Sequence, residues 1–306
     1  MIEIELPSLT DITANYIFNR CYALETVSMP SLVSSVGNVF SNCRSLKNIN
    51  MPVLTTISNS MFYGCSGLTS IDFDTMFPSV TRIYGNAFQA CNGLTSIHVP
   101  DRITSLSGAF NGCTSLTSAT IDVCKEGLYE VGSLFSGCKA LQSVSIPHLA
   151  IPDPDASSSV EAERQFGSYL FGSCLALTDV NLPNLEIVGQ YMFNNCQSLT
   201  YIDLPKVRKI YNWGFKGCTN LRTLIFRNGY CSLYNPINTF DNTPFASNGS
   251  GGVILTTREC VNSKQFEGWK FYENGNITIL ALEDYTVDGT ITGAIDWVKL
   301  NNAMGW

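Results

Sequence analysis

One pattern of apolar residues recurs along most of the chain, with the form F-x-x-C-x-x-L-x-x-[IV]. Its nine copies are Phe18/Cys21/Leu24/Val27, Phe40/Cys43/Leu46/Ile49, Phe62/Cys65/Leu68/Ile71, Phe88/Cys91/Leu94/Ile97, Phe110/Cys113/Leu116/Ala119, Phe135/Cys138/Leu141/Val144, Phe171/Cys174/Leu177/Val180, Phe193/Cys196/Leu199/Ile202 and Phe215/Cys218/Leu221/Leu224. Their cysteines lie 22, 22, 26, 22, 25, 36, 22 and 22 residues apart. A nearly fixed period predicts stacked structural units.

Each copy also predicts one short strand. Polar and apolar residues alternate after the leucine, as in "TSIHVP" at residues 95–100, and most copies then reach a proline, which cannot donate to a strand ladder. We therefore expect one coil per copy, with the apolar side of each coil buried by its neighbours. Nine or ten coils stacked at ~4.8 Å would make a rod of roughly 45–50 Å.

The repeated unit resembles the leucine-rich repeat of the BspA type. In that family the unit reads approximately L-x-x-I-x-L-P followed by I-G-x-x-A-F-x-x-C-x-x-L, and "IYGNAFQACNGLTSIHVP" at residues 83–100 is similar at nearly every position. The resemblance covers about residues 1–226. It implies a β-rich leucine-rich-repeat solenoid, classed as α/β by family convention, and a bacterial surface or secreted protein that acts in adhesion or protein–protein interaction.

The cysteines of the repeat are expected to be structural. Equivalent cysteines of stacked coils would have parallel side chains ~4.8 Å apart, whereas a disulfide needs Cβ atoms ~3.8 Å apart. A straight row of thiolates also cannot surround zinc tetrahedrally. We therefore expect a buried ladder of free thiols. Cys124, Cys231 and Cys260 lie outside the register, and any disulfide or reactive thiol is expected among them, although unpaired structural roles are favoured.

Three segments are expected along the chain. Residues 1–238 form the solenoid, with a solvated insertion loop at 150–165 that lacks the spacing of a known calcium loop. Residues 239–280 resemble the unit that closes many arrays of this family, with a strand at Val253–Leu255, a helix from about Arg258 to Phe266 capped by Thr257, and then Trp269. Residues 281–306 are expected to form a hairpin that turns at 288–289 and a small helix, and one interpretation of this tail is a module that attaches the rod to something else.

The composition of the chain and its lack of familiar motifs argue against several classes of function. The 306-residue chain has a net charge of −7 with 14% charged residues, and no basic cluster that would favour nucleic acid. No apolar run reaches the ~18 residues of a membrane span, and no signal peptide or anchor is visible, so an extracellular or surface location is implied by the resemblance alone. The familiar hydrolase, metalloprotease, nucleotide and dinucleotide motifs are missing, which predicts no enzyme activity, no cofactor and no metal.

The outward side chains of the strands form the expected binding face. By register these are Ser28, Asn50, Asp72, His98, Thr120, Ser145, Asn181, Asp203 and Ile225, with a second stripe of Thr26, Asn48, Ser70, Ser96, Ser118, Ser143, Asp179, Tyr201 and Thr223. The candidate binding residues are Asn50, Asp72, His98, Asp179, Asn181, Tyr201 and Asp203. Small hydroxyl and amide groups dominate this face, so a merely solvated face is the alternative interpretation.

The expected partner is a protein or glycan ligand, and we expect a monomer rather than an oligomer. The alternative function is a structural or receptor-binding component of a larger assembly, such as a phage tail or a surface appendage. An oligomer joined through the ends of the rod would favour that alternative.

Overall fold

The computed structural model describes residues 2–122, 131–149, 167–233, 236–246, 251–265 and 277–306. Within these ranges the strands are β1 Glu3–Glu5, β2 Asp11–Ile12, β3 Thr26–Ser28, β4 Ser34–Ser35, β5 Asn48–Asn50, β6 Thr56–Ile57, β7 Arg82–Ile83, β8 Ser96–Val99, β9 Ser118–Ile121, β10 Ser143–Ser145, β11 Asp179–Asn181, β12 Ile187–Val188, β13 Tyr201–Asp203, β14 Lys209–Ile210, β15 Thr223–Phe226, β16 Ser232–Leu233, β17 Gly252–Thr256 and β18 Ile277–Ala281. The helices are α1 Phe73–Met76, α2 Pro236–Thr239, α3 Arg258–Asn262, α4 Leu282–Tyr285 and α5 Trp297–Met304.

The strands pair in parallel from one coil to the next, which confirms the predicted solenoid. One column contains the strand blocks β1-β3-β5, β8-β9-β10-β11 and β13-β15-β17-β18, and short strands of two residues form a second column. The pairing follows the repeat register, with Ile4 opposite Val27 and Val144 opposite Val180. Every apolar position of the repeat therefore lies above its equivalent, and the core runs along the whole stack.

One coil departs from the prediction of one strand per copy. Ser70–Asp72 forms no strand, and helix α1 follows directly. The side chain of Asp72 caps this helix by accepting hydrogen bonds from the backbone N–H groups of Asp74 at 3.0 Å and Thr75 at 3.3 Å. The interruption separates the block ending at β5 from the block beginning at β8.

The phenylalanines of the repeat form a continuous stack through the core. Rings of successive coils lie 5.3–6.1 Å apart between centroids and within 21° of parallel, from Phe18 to Phe215. The stack continues past the last recognisable copy, because Phe240 lies 5.8 Å from Phe215 with the two rings 1° from parallel. Offset stacking adds to the free energy gained by burying each ring.

The cysteines of the repeat are free thiols, as predicted, but they do more than fill space. Each thiol from Cys43 to Cys218 donates a hydrogen bond to the backbone carbonyl of the phenylalanine in the preceding coil, at 3.0–3.3 Å between sulfur and oxygen. Each of these carbonyls also accepts the backbone N–H of the cysteine in its own coil, so the thiol supplies a second hydrogen bond, which links neighbouring coils. Cys231 and Cys260 are also buried and form no disulfide within the described residues, whereas Cys124 lies outside those residues.

A left-handed backbone conformation precedes every cysteine of the repeat. The residue before each one has a φ between 58° and 75°, and this position holds glycine, asparagine, serine, alanine or arginine. Glycine and asparagine adopt this region most readily, which accounts for the frequent G-C and N-C pairs in the sequence. The turn aims the thiol toward the preceding coil.

The C-terminal part extends the column of strands. β15 pairs with β17 and β17 with β18, all in parallel. Helix α3 begins after Thr257, whose side chain accepts a hydrogen bond from the backbone N–H of Cys260 at 3.4 Å. Residues 286–295 turn back on themselves, and α5 follows with Asp296 as its N-cap and Gly305 in a left-handed C-cap. The insertion at 150–165 and Trp269 lie outside the described residues.

The phenylalanine stack predicts a large penalty for one deletion in its middle. Phe110 is fully buried between Phe88 and Phe135, so Phe110→Ala should lower the free energy of unfolding by about 3–5 kcal/mol. Chemical denaturation of the purified chain measures this, with Tyr84→Ala as a control because Tyr84 is an exposed aromatic residue. A midpoint for Phe110→Ala that matches the parent chain would contradict the stacked core.

The thiol ladder predicts a loss of stability at alkaline pH. Burial raises the pKa of Cys43, Cys113 and Cys174 to about 12. The unfolded chain therefore loses these protons from about pH 8.5 upward while the folded chain keeps them. The contribution of these thiols to stability should be constant below that pH and fall above it by about 1.4 kcal/mol per pH unit for each thiol.

Urea unfolding with a phosphine reductant at pH 7.5, 9 and 10 measures this slope. The variant Cys113→Ala removes one thiol, so its alkaline slope should be shallower by about 1.4 kcal/mol per pH unit, whatever the other titrating groups contribute. Equal slopes for the parent chain and the variant would show that Cys113 is not a protonated, buried donor.

Candidate binding surface

We use the name strand surface for the outward side chains of the main strand column from β3 to β13. In its first block the polar groups bind one another across coils. The amide of Asn50 donates to the hydroxyl of Ser28 at 3.0 Å, and the amide of Asn48 donates to Thr26 at 3.4 Å. Asn50, a candidate binding residue, is exposed, but its side-chain amide already donates one hydrogen bond to Ser28.

The middle block, β8 to β11, has the same arrangement of small polar groups. The amide of Asn181 donates to the hydroxyl of Ser145 at 2.9 Å, and a ring nitrogen of His98 lies 2.6 Å from a carboxylate oxygen of Asp122. The histidine and aspartate side chains are 60% and 49% exposed, so the pair is accessible to a partner. Asp179 is exposed at the border toward β13.

Asp72 lies at the gap between these two blocks. A hydrogen bond from the side chain of Thr75, with those from the backbone N–H groups of Thr75 and Asp74, lowers the pKa of Asp72. Its carboxylate therefore stabilises the start of α1 and is only partly available to a ligand.

Beyond the C-terminal end of the strand surface, the outward face of β15 is covered by the chain itself. Ile225 and Thr223, which the register placed among the outward residues, are 0% and 2% exposed, so the expectation that both are accessible was wrong. Ile225 packs with Leu255, Leu282 and Leu300 in a second apolar cluster. Residues 281–306 thus fold back over the last coils.

A bidentate ion pair fastens this C-terminal segment to the strands. The guanidinium of Arg227 donates to the carboxylate of Asp203 at 2.6–3.0 Å and to the backbone carbonyls of Ile291 at 2.6 Å and Gly293 at 3.0 Å. The arginine and aspartate side chains are 16% and 29% exposed. Asp203, a candidate binding residue, is therefore occupied by an internal contact.

Tyr201 stands where the uncovered strand surface meets the C-terminal segment. Its ring lies 4.7 Å from the ring of Trp297 between centroids, at an interplanar angle of 56°, and the tyrosine remains 38% exposed. Beyond it, the guanidinium of Arg222 lies 5.7 Å from the ring centroid of Trp306. The sequence analysis missed Trp297, Trp306 and both arginines, although two tryptophans within ten residues were a signal for an aromatic contact.

The chemistry available on this surface is that of contact and hydrogen bonding. Burial raises the pKa of Cys65 and keeps its thiol protonated, so it is no candidate nucleophile. The described residues contain no group of three or more His, Cys, Asp or Glu side chains that could hold a metal ion. Among the helices that the structure describes, none combines the length and apolarity needed to cross a bilayer.

At the opposite end of the stack, the first coil presents apolar side chains to solvent. Ile2, Tyr16, Ile17 and Tyr22 are between 51% and 63% exposed, and the ring of Phe18 is only partly covered. The last coils differ from this first coil, because residues 281–306 fold back over their outward strand face.

Comparison with protein families gives one result that spans most of the chain. The model described as the BspA type leucine rich repeat region matches in six copies, over residues 1–77, 55–151 and 164–248. A search among curated proteins gives no match.

Several solved structures are similar to the chain at low identity. A leucine-rich repeat protein of T. pallidum is 22% identical, over 65% of this chain and 78% of that one, with a TM-score of 0.43. A leucine-rich cell surface protein from Faecalibacterium prausnitzii is 20% identical, over 86% and 81%, with a TM-score of 0.43. A leucine-rich repeat protein from Bacteroides ovatus is 17% identical, over 91% and 92%, with a TM-score of 0.32.

The contacts of Arg227 predict that this residue holds the C-terminal segment in place. Arg227→Met should lower the free energy of unfolding by about 1–3 kcal/mol, because Asp203 and two carbonyls lose a charged donor. Limited proteolysis should also cut within residues 286–295 faster than in the parent chain.

Lys47→Met is the control. Lys47 pairs with Glu25 at 3.6 Å, but both side chains are about half exposed, so the loss should not exceed about 1 kcal/mol. Equal effects of the two substitutions, with unchanged proteolysis, would contradict a fastening role for Arg227.

Proposed function

The chain belongs to the BspA-type leucine-rich repeat family, and we propose that it is a non-catalytic, protein-binding scaffold of a bacterial cell surface or secreted protein, acting in adhesion. Leucine-rich repeat proteins of this type are typically binding scaffolds rather than enzymes. The location at the surface is inferred from the family and from nothing else in the chain.

One observation carries this proposal: the block from β8 to β11 offers four adjacent strands whose outward side chains the described residues leave accessible. Its residues include exposed Ser96, His98, Thr120 and Asp179. Small polar side chains surrounding a few aromatic anchors are typical of recognition surfaces. Here the anchors are Tyr201 and Trp297, at the border of the block.

The core supports a recognition role because it holds this surface in one geometry. Stacked phenylalanines and thiol hydrogen bonds fix each coil against the next, so a partner that binds across several strands meets a surface that needs little ordering. Asn50 and Asp72 lie outside this block and are expected to contribute less.

The test is binding of the purified chain to a panel of purified surface and extracellular-matrix proteins by surface plasmon resonance. Thr120→Arg and Ser143→Arg place long charged side chains on the middle block, and each should weaken a specific interaction at least tenfold through steric and electrostatic mismatch. Tyr84→Arg, an exposed position outside the main strand column, should leave it unchanged.

Binding that survives both strand substitutions would contradict the proposed surface. The alternative function, a component of a larger assembly, stays a prediction, as does the monomeric state.

A further inference from the structure

A cavity of about 360 Å³ lies where the C-terminal helix α5 meets the strand column. Its walls include Tyr201, Trp297 and Trp306, while Arg222 and Asn301 supply polar groups. The volume falls within the range of small-ligand sites, which are concave and mostly lined by aromatic or apolar groups with a few polar ones. The cavity adjoins the middle block of the strand surface and shares the border residues Tyr201 and Trp297 with it, while Arg222 directly precedes β15 and Asn301 lies in α5.

The cavity is held in shape by contacts on both of its sides. Leu300 packs against Ile225 in a buried cluster, and Asp296 caps helix α5 by accepting a hydrogen bond from the backbone N–H of Lys299 at 3.0 Å. Gly305 ends the helix in a left-handed conformation, which turns Trp306 back toward Arg222. A pocket with fixed walls loses little conformational entropy when a ligand enters.

The described residues that line the cavity carry a net positive charge, whereas the chain as a whole is negative. The whole chain carries a net charge of −7, yet no acidic side chain is among the described residues that line this cavity. Arg222 is exposed, lies over the ring of Trp306, and makes no ion pair within the described ranges. A stacked guanidinium keeps its N–H groups available, and these match a carboxylate in a bidentate arrangement.

The residues around the cavity suit a ligand with a hydroxyl-bearing ring better than they suit a peptide. β15 is hydrogen-bonded on both sides, to β13 and β17, so the cavity offers no free strand edge to a peptide backbone. The walls instead combine aromatic residues with the polar residues Thr200 and Asn301. Such walls suit a ligand with apolar C–H faces and polar edges.

We infer that this cavity is a subsite for the carboxylate-bearing sugar residue of an acidic glycan, a uronic or sialic acid. Arg222 binds the carboxylate, the aromatic side chains contact the faces of the sugar ring, and Asn301 binds a hydroxyl group. The inference does not depend on protein binding by the middle block of the strand surface.

The experiment follows tryptophan fluorescence and isothermal titration of the full chain with glucuronic acid, N-acetylneuraminic acid and, as the neutral probe, glucose. Both acids should give saturable signals, and glucose should bind at least tenfold more weakly. Arg222→Gln should weaken binding of the acids roughly tenfold to a hundredfold, because it removes charge-assisted hydrogen bonds. Trp306→Ala, at a 44% exposed residue, is a second variant that should weaken binding of both acids.

Arg82→Gln is the matched control, since Arg82 is an exposed arginine outside the cavity, and it should leave binding unchanged. Thr120→Arg should also leave sugar binding intact, which separates this inference from the proposed protein-binding function. Equal binding of glucose and the acids, or the absence of a saturable signal with either acid, would overturn the inference. Tighter binding of an N-acetylated amino acid than of either sugar acid would assign the cavity to a peptide carboxylate and overturn it as well.

Discussion

The stacking of each coil on the preceding one at a single register is the constraint on which the other features depend. Two side chains enforce it, because the ring of each repeat phenylalanine packs on the ring before it and each cysteine thiol binds the carbonyl of the preceding phenylalanine. The thiol contact is directional, so a coil that slipped by one residue would lose both the ring stack and a buried hydrogen bond. The regular strand surface is a consequence of this core.

Most of the fold could be predicted because its core residues repeat at fixed offsets. Helix α1 is not part of that repeat, so the same pattern could not predict it. Phenylalanine, cysteine and leucine at fixed offsets identify the coil, and Ile4 and Val27 pair as their alignment requires. Where a strand was expected at Ser70–Asp72, helix α1 begins instead, and Asp72 favours it by supplying the N-cap. The longer step of 26 residues between Cys65 and Cys91 was the available signal for that change.

The candidate site was less predictable, since it depends on contacts between distant parts of the chain. Register correctly places Ile225 in the outward column, but register cannot tell that Leu300 returns to cover it. Asp203 likewise looked like a free carboxylate, and its partner Arg227 lies one coil away. An apolar isoleucine in an otherwise polar column was a sign that something covers the end of the surface.

The regular coils and the region where the repeat ends offer different side chains to a binding partner. Where the repeat is regular, neighbouring polar groups satisfy one another, as Asn181 does with Ser145, and a partner gains little by replacing such a bond. Where the repeat ends, the chain must cover an apolar coil, and the covering segment brings Trp297 and Trp306 beside Tyr201 and Arg222. The regular coils thus supply the small polar groups of the strand surface, whereas aromatic and charged side chains gather where residues 281–306 meet the last coils.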